Sequence, residues 1–378
     1  MIVGSMEMRS KDSADVINAI VCCDRPLSRV GLFDYVWSDT LTKWAASEGY
    51  SVDDQGKPIS PEEYFGFDLV GAGGWVQTLP RYGPGSDEVL DETDEWVVKR
   101  SGAGAVLKTW KHKSGTPEHM DFHMTSRRIW EETYRPLLLE VDRGRFNIED
   151  TRKKLQHHRE QGYWTYFGAL FVCEMMRCSM GDVCMLESML LDPDWIRDYC
   201  RVYTDLYKAC YKILFEEAGK PDGVWIYEDL GYRNGLFCSP SVLRSLIFPY
   251  CAEIVDFFHS YDLPVILHSC GRITEALPLI VEAGFDGLHP MEAKAGCDIM
   301  TFADKYGEDL AFFGGLDIRV LESGDRGLIR SEVTALVEGL KARGARFVFG
   351  SDHSVSTNVA LADLKFAHDV YREHMAYA

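Results

Sequence analysis

The sequence predicts an α/β fold, a single (β/α)8 barrel with an N-terminal cap and an inserted hairpin. Three observations point there. Short apolar strands alternate with helical stretches from about residue 186 to the end, which is the pattern of βα units around a parallel sheet. The strand Leu263-Pro264-Val265-Ile266-Leu267 is apolar on both faces, as strands are when helices cover the sheet. Several consecutive strands end in polar or ionisable residues, as barrel strands do where they build an active site. A doubly wound open sheet competes, but no G-x-G-x-x-G follows an early strand.

The elements follow in order. Residues 14–24 read as a short helix, and Gly31 to Trp37 as a first strand rich in aromatics. Ser38 and Asp39 cap a helix near 40–48, and Pro61 opens another. Phe67 to Val70 is a short strand. Residues 71–115 hold many glycines; 95–100 and 105–110 form a hairpin laid outside the main repeat. Residues 125–134 and 150–161 have helical composition, and 163–170 is a second barrel strand. A helix fills 194–217, and 223–229 is a strand with an acidic tip. A long helix is expected from Ser239 to Tyr261, then the strand ending at His268, then a helix over 273–283. Strands at 287–292, 310–317 and 346–353 alternate with helices at 297–307, 327–343 and 361–375. The whole chain, 1–378, reads as one domain, with 1–135 supplying cap helices and the hairpin.

Bulk properties narrow the function. The formal charge of -19 leaves no basic face for nucleic acid. No stretch is apolar for long enough to span a bilayer, and the first residues lack the apolar core of a signal peptide. Eleven scattered cysteines, without a C-x-x-C pair, read as reduced thiols and a cytoplasmic location.

The chemistry concentrates on strand tips. His268 and Cys270 are two residues apart, so an extended strand turns both to one side. An imidazole and a thiol aimed at one point are zinc-type ligands; a buried cysteine is, however, most often just a small core residue. His353 ends the last strand and completes a three-ligand set with one open position. Its bland alternative is to cap the following loop. Glu228 and Asp229 are paired carboxylates at another tip, against the alternative of a salt bridge to Arg233. Glu292 and Lys294 form an ion pair in the same mouth, and Asp317 is placed to cap a helix. Glu228, Asp229 and Glu292 are the candidate catalytic groups. Tyr35, Trp37, Tyr232, Lys294, Asp317 and Asp352 are candidate substrate contacts. His157 and His158 lie on a charged helix and read as surface.

His-Ser-Cys-Gly at 268–271, Glu228-Asp229-Leu230-Gly231-Tyr232 followed by Ser239-Pro240 and Phe248-Pro249, and Phe313-Gly314-Gly315-Leu316-Asp317 together resemble the uroporphyrinogen decarboxylase superfamily. The resemblance covers about residues 140–378, and the N-terminal cap loosely. It implies a single barrel and a homodimer. The superfamily holds true decarboxylases and zinc-dependent methyltransferases that work with corrinoid proteins. The Arg-rich N-terminal signature that grips a polycarboxylate in the decarboxylase branch is missing. The strand at 32–37 is aromatic, with Asp34 its only charge.

The methyltransferase branch carries His-x-Cys on one strand and a cysteine at the last strand tip. His268 and Cys270 match the first pair; His353 stands where the cysteine falls, with Asp352 as the alternative ligand. The resemblance therefore implies a zinc-dependent methyltransferase component, with Zn2+ as its metal. It would move a methyl group from a small methylated donor to a corrinoid (cobalamin) on a partner protein. A shell of two imidazoles and one thiolate leaves the metal electrophilic and favours O-methyl donors. Glu228 and Glu292 would orient metal-bound groups. The alternatives are a decarboxylase of a carboxylated substrate and a non-catalytic ligand-binding barrel.

Overall fold

The computed structural model describes residues 12–377 other than 24, 82–85, 113, 114 and 116. The readings of the first residues and of the end of the first helix at Asp24 lie outside the described residues. The strands in chain order are β1 (Gly31–Leu32), β2 (Leu69–Gly71), β3 (Glu88–Glu92), β4 (Trp96–Arg100), β5 (Ala105–Trp110), β6 (Glu118–Phe122), β7 (Trp164–Leu170), β8 (Gly223–Tyr227), β9 (Gly231–Tyr232), β10 (Gly235–Leu236), β11 (Val265–His268), β12 (Gly287–His289), β13 (Ala311–Leu316) and β14 (Phe347–Ser351).

Eight of them form one parallel sheet in the order β1-β14-β13-β12-β11-β8-β7-β2. The sheet curls until its edges meet: the backbone N–H of Asp68 donates to Leu32 O at 2.9 Å, and Leu32 N–H donates to the Asp68 carboxylate at 2.8 Å. This is the (β/α)8 barrel that the sequence predicts. Barrel strands such as β7, β8 and β14 are buried along almost their whole length, which is why they read as continuous apolar runs.

Inside the barrel, Trp225 of β8 is a hub. Its ring lies 5.4 Å from Phe33, 5.2 Å from Tyr166, 5.4 Å from Phe313 and 5.0 Å from His289. This aromatic plug fills the barrel interior, with polar groups at the strand ends above it.

Several elements differ from the sequence reading. The insertion is a four-stranded antiparallel sheet, β3-β4-β5-β6, rather than a hairpin. Its outer strands, EVLDE and EHMDF, are almost wholly exposed and acidic, so they show no apolar alternation. The sheet packs on a helix at Val172–Leu191 that the sequence reading does not include. That helix breaks at Gly181, whose φ is +74°; a Cβ there would come within 2.4 Å of the Phe122 ring. The long helix expected over 239–261 is two helices, Pro240–Leu246 and Phe248–His259, joined at Ile247. Pro249 explains the break, since it has no N–H for the preceding turn and crowds the backbone before it. Ser38 and Asp39 lie inside the first turn of helix Ser38–Ser47 rather than capping it. No helix among the described residues is long and apolar enough to cross a membrane.

Candidate active site

β11 and β12 pair in parallel with His268 opposite His289, so both strands end on an imidazole. The two rings lie 4.8 Å apart, and their Nδ1 atoms share a hydrogen bond of 2.6 Å. Beyond His268 the chain turns. Ser269 Oγ is buried and accepts from Leu230 N–H at 3.0 Å, which fixes the tip of β11 to the loop after β8. Cys270 follows, with its Sγ 3.4 Å from His268 Nε2. Gly271 then adopts φ +80° and passes so close to Gly231 that a Cβ would meet the Gly231 carbonyl carbon at 2.4 Å. Only glycine makes that turn without moving Cys270.

Adjacent residues at a strand tip face opposite ways, and Glu228 and Asp229 show the consequence. Glu228 turns outward and is buried. Its carboxylate accepts from Cys173 N–H at 2.7 Å and Glu174 N–H at 3.0 Å, the start of helix Val172–Leu191. Burial outweighs these two hydrogen bonds and pushes its carboxyl up to about 8. Asp229 turns into the mouth. Its Oδ1 accepts from Cys270 N–H at 2.8 Å and lies 3.8 Å from His268 Nε2. Asp229, His268 and Cys270 therefore each offer one donor atom, all within 4.8 Å of one another.

His353 is not part of that group among the described residues. It stands nearby: it acts electrostatically on both His268 and His289, and its ring lies 6.5 Å from Trp37. Asp352 is fully buried, and its two oxygens accept from Ala293 N–H and Ile318 N–H, each at 2.8 Å. Glu292 accepts from Gly271 N–H at 2.7 Å and pairs with Lys294 at 3.2 Å, so it braces the turn after Cys270. Asp317 caps the helix that begins at Ile318 and is held below the usual carboxylate range by Arg319. Tyr232 is half exposed on the short β9-β10 hairpin, and its carbonyl accepts from Arg272 N–H at 2.9 Å, just beyond the Cys270 turn. Tyr35 is 57% exposed at the end of the first strand.

Three groups were not singled out from the sequence. His289 is signalled by the same strand-tip logic that picks out His268, one strand later. Glu174 and Arg177 sit on the unforeseen helix. Arg177 pairs with Glu174 at 2.5 Å and Asp182 at 2.9 Å, and reaches to 4.0 Å from Asp229. Burial, then Asp229, pushes the Glu174 carboxyl up to about 7, against the pull of Arg177.

Burial sets the state of the donors. It raises the Cys270 thiol far above its ordinary range, with Asp229 and Glu292 adding to the effect. It lowers the His268 imidazole, which Asp229 only partly offsets, and lowers His289 well below the usual value. Both rings are thus held neutral, the form that binds metal. A thiol, a carboxylate and a neutral imidazole converging on one point suit a divalent cation, which would reverse the cost of ionising the thiol. Donors at the C-terminal ends of barrel strands define the class: an enzyme-type barrel with a metal-competent mouth.

The family described as uroporphyrinogen decarboxylase (URO-D) matches residues 170–374, more than half of the chain, and the chain belongs to that family. A methyltransferase from Methanosarcina mazei shares the fold, with a TM-score of 0.66 and 15% identity over 96% of this chain and 98% of that one. A Xaa-Pro dipeptidase with bound methionine aligns over 61% of this chain and 65% of its own, at 11% identity and a TM-score of 0.27, too low to carry an argument. A comparison with curated proteins gives no match.

Proposed function

We propose that the chain is a zinc-dependent methyltransferase component that passes a methyl group from a small methylated donor to a corrinoid carried by a partner protein. The observation that carries this reading is the convergence of Asp229, His268 and Cys270 within 4.8 Å at the barrel mouth, in a chain of this family. The fold shared with the Methanosarcina mazei methyltransferase is consistent with it.

These residues would hold the metal, with Asp229 as third ligand in place of the His353 expected from the sequence. Bound zinc would supply Lewis acidity to the donor's leaving atom. With a metal on His268 Nε2, which faces Cys270 and Asp229, His268 Nδ1 would carry the proton and donate to His289 Nδ1. Ser269, Gly271 and Glu292 hold the Cys270 turn in place. With Asp229 in place of a second imidazole, the shell no longer favours O-methyl donors over other methylated compounds. A decarboxylase grip on a polycarboxylate needs free cations. Arg177 and Lys294 are both engaged with carboxylates of the chain itself.

The test is elemental analysis of protein purified without added metal, followed by methyl transfer to free cob(I)alamin from a panel of methylated amines and methoxyl compounds. About one zinc per chain, with methylcobalamin formed from at least one donor, is expected. Zinc-free protein that decarboxylates uroporphyrinogen would overturn the proposal.

A further inference from the structure

The mouth carries aromatic surface that the metal donors do not account for. Residues two apart on a strand share a side. Tyr166 of β7 faces the barrel axis, where its ring lies 5.2 Å from Trp225 and 6.5 Å from Phe33. Gly168, two residues on, therefore faces the axis too, with no side chain to fill the space. The ring of Trp75, from the loop after β2, fills it: a Cβ on Gly168 would come within 2.6 Å of Trp75 Cζ2. Trp75 also stacks on Tyr227, the last residue of β8, with centroids 5.7 Å apart and planes inclined by 23°. Tyr227 in turn lies 5.1 Å from the His268 ring. The indole thus stands one ring away from His268.

Trp75 is held but not covered. One edge sits over Gly168 and the ring rests on Tyr227, yet the residue is 50% exposed. Tryptophan usually ends highly buried, because its large apolar surface is costly to leave in water. Tyr35, which acts electrostatically on Tyr227, is also open, at 57%. The charges nearby are engaged with one another: Arg177 with Glu174 and Asp182, Lys294 with Glu292. Asp229 belongs to the donor set. Selection at this wall therefore falls to the rings, and rings prefer another ring, offset-stacked or edge-on.

We infer that Trp75 and Tyr227 form the platform for a planar aromatic ring of the substrate, so that the methyl donor is a methylated aromatic compound rather than a small aliphatic one. Trp75 sets specificity: it touches the ring of the donor and leaves the methyl-bearing atom to the Asp229, His268 and Cys270 side. That the ligand is a methyl donor rests on the methyltransferase reading. The binding of the ring is tested independently of it.

The test is calorimetric titration of the full chain with 2-methoxyphenol and with its saturated counterpart 2-methoxycyclohexanol. The aromatic probe should bind on the order of tenfold more tightly. Trp75→Leu and Trp75→Gln should each bring the two affinities together, while Trp75→Phe, which restores a ring, should keep most of the preference. The position is half exposed, so all three should fold, and melting curves verify it. Equal binding of the two probes, no binding of 2-methoxyphenol, or a preference that survives Trp75→Leu and Trp75→Gln would overturn the assignment. Zinc content and methyl transfer are read on the same preparations. A ring preference that depends on Trp75, without zinc or transfer, supports the platform and ends the methyltransferase reading. Transfer from an aliphatic donor, with no ring preference, does the reverse.

Discussion

The two ends of the barrel use the same residue type in different ways. At the N-terminal end, Asp68, Asp222 and Asp286 each stand one residue before a strand: β2, β8 and β12. Each exchanges a pair of hydrogen bonds with a neighbouring strand, through Leu32, Thr165 and Val265. Each also has a side-chain partner: Arg29 on Asp68 at 2.7 Å, the Thr165 hydroxyl on Asp222 at 2.6 Å, His259 on Asp286 at 2.8 Å. At the C-terminal end, Asp229, Glu292 and Asp352 again accept backbone N–H groups, but from loops. There Asp229 keeps capacity to spare, next to a thiol and an imidazole. Saturated carboxylates hold strands together; an unsaturated one is left for a ligand.

Substitutions at the two ends should therefore part company. The largest loss of stability is expected from Asp68→Asn, because Arg29 is only 12% exposed and would be left without its two-toothed partner. About 3–5 kcal/mol should be lost in chemical denaturation. The zinc affinity of the fraction that remains folded should be unchanged.

At the other end, Cys270→Ala and Asp229→Ala should abolish stoichiometric zinc while costing the metal-free protein less than about 1 kcal/mol, since both groups are partly exposed. His353→Ala should keep the metal. Zinc lost from His353→Ala but kept in Asp229→Ala would restore the ligand set first read from the sequence. A weaker effect is expected from His289→Phe, which removes the hydrogen-bond partner of His268. Zinc affinity should fall on the order of 10–100-fold with the fold intact. Competition with a chromophoric chelator measures both effects.

Two pH effects are smaller. The Glu228 carboxyl is raised to about 8 by burial, so folding favours its protonated form. Its contribution to stability is whole below the ordinary carboxyl range and is lost as pH rises through about 8. Glu228→Gln should flatten the fall in melting temperature between pH 5 and 9. His259 is raised by its hydrogen bond to Asp286, so its contribution is present below the ordinary histidine range and fades as pH climbs past its raised value. His259→Gln should cost under about 1 kcal/mol at pH 5.5 and nothing measurable at pH 9.

Much of the frame was legible because parallel strands buried on both faces leave long apolar runs, as at 223–227 and 347–351. The nearness of His268 to Cys270 was legible because strand periodicity fixes it. Which of Glu228 and Asp229 enters the mouth was not, since that depends on where β8 stops, one residue before the pair. Helix Val172–Leu191 escaped because Gly181 interrupts it and its cysteines and methionines have no clear polar face. The outer strands of the inserted sheet escaped because their residues are exposed almost throughout and show no apolar alternation. His289 carries a weaker signal than His268, because its strand is only three residues long and ends before a proline.

The donor set has a further consequence for how the molecule assembles. Asp229 and Cys270 are 41 residues apart and come from neighbouring strands, whereas Asp34 and Ser351, which help close the barrel, are 317 apart. Bringing together a short loop is entropically cheap compared with joining the two ends of the chain. The β8-β11 pair can therefore present its three donors while the barrel is still an open sheet. A cation captured at that stage would bias the chain toward the native register before the last strands arrive.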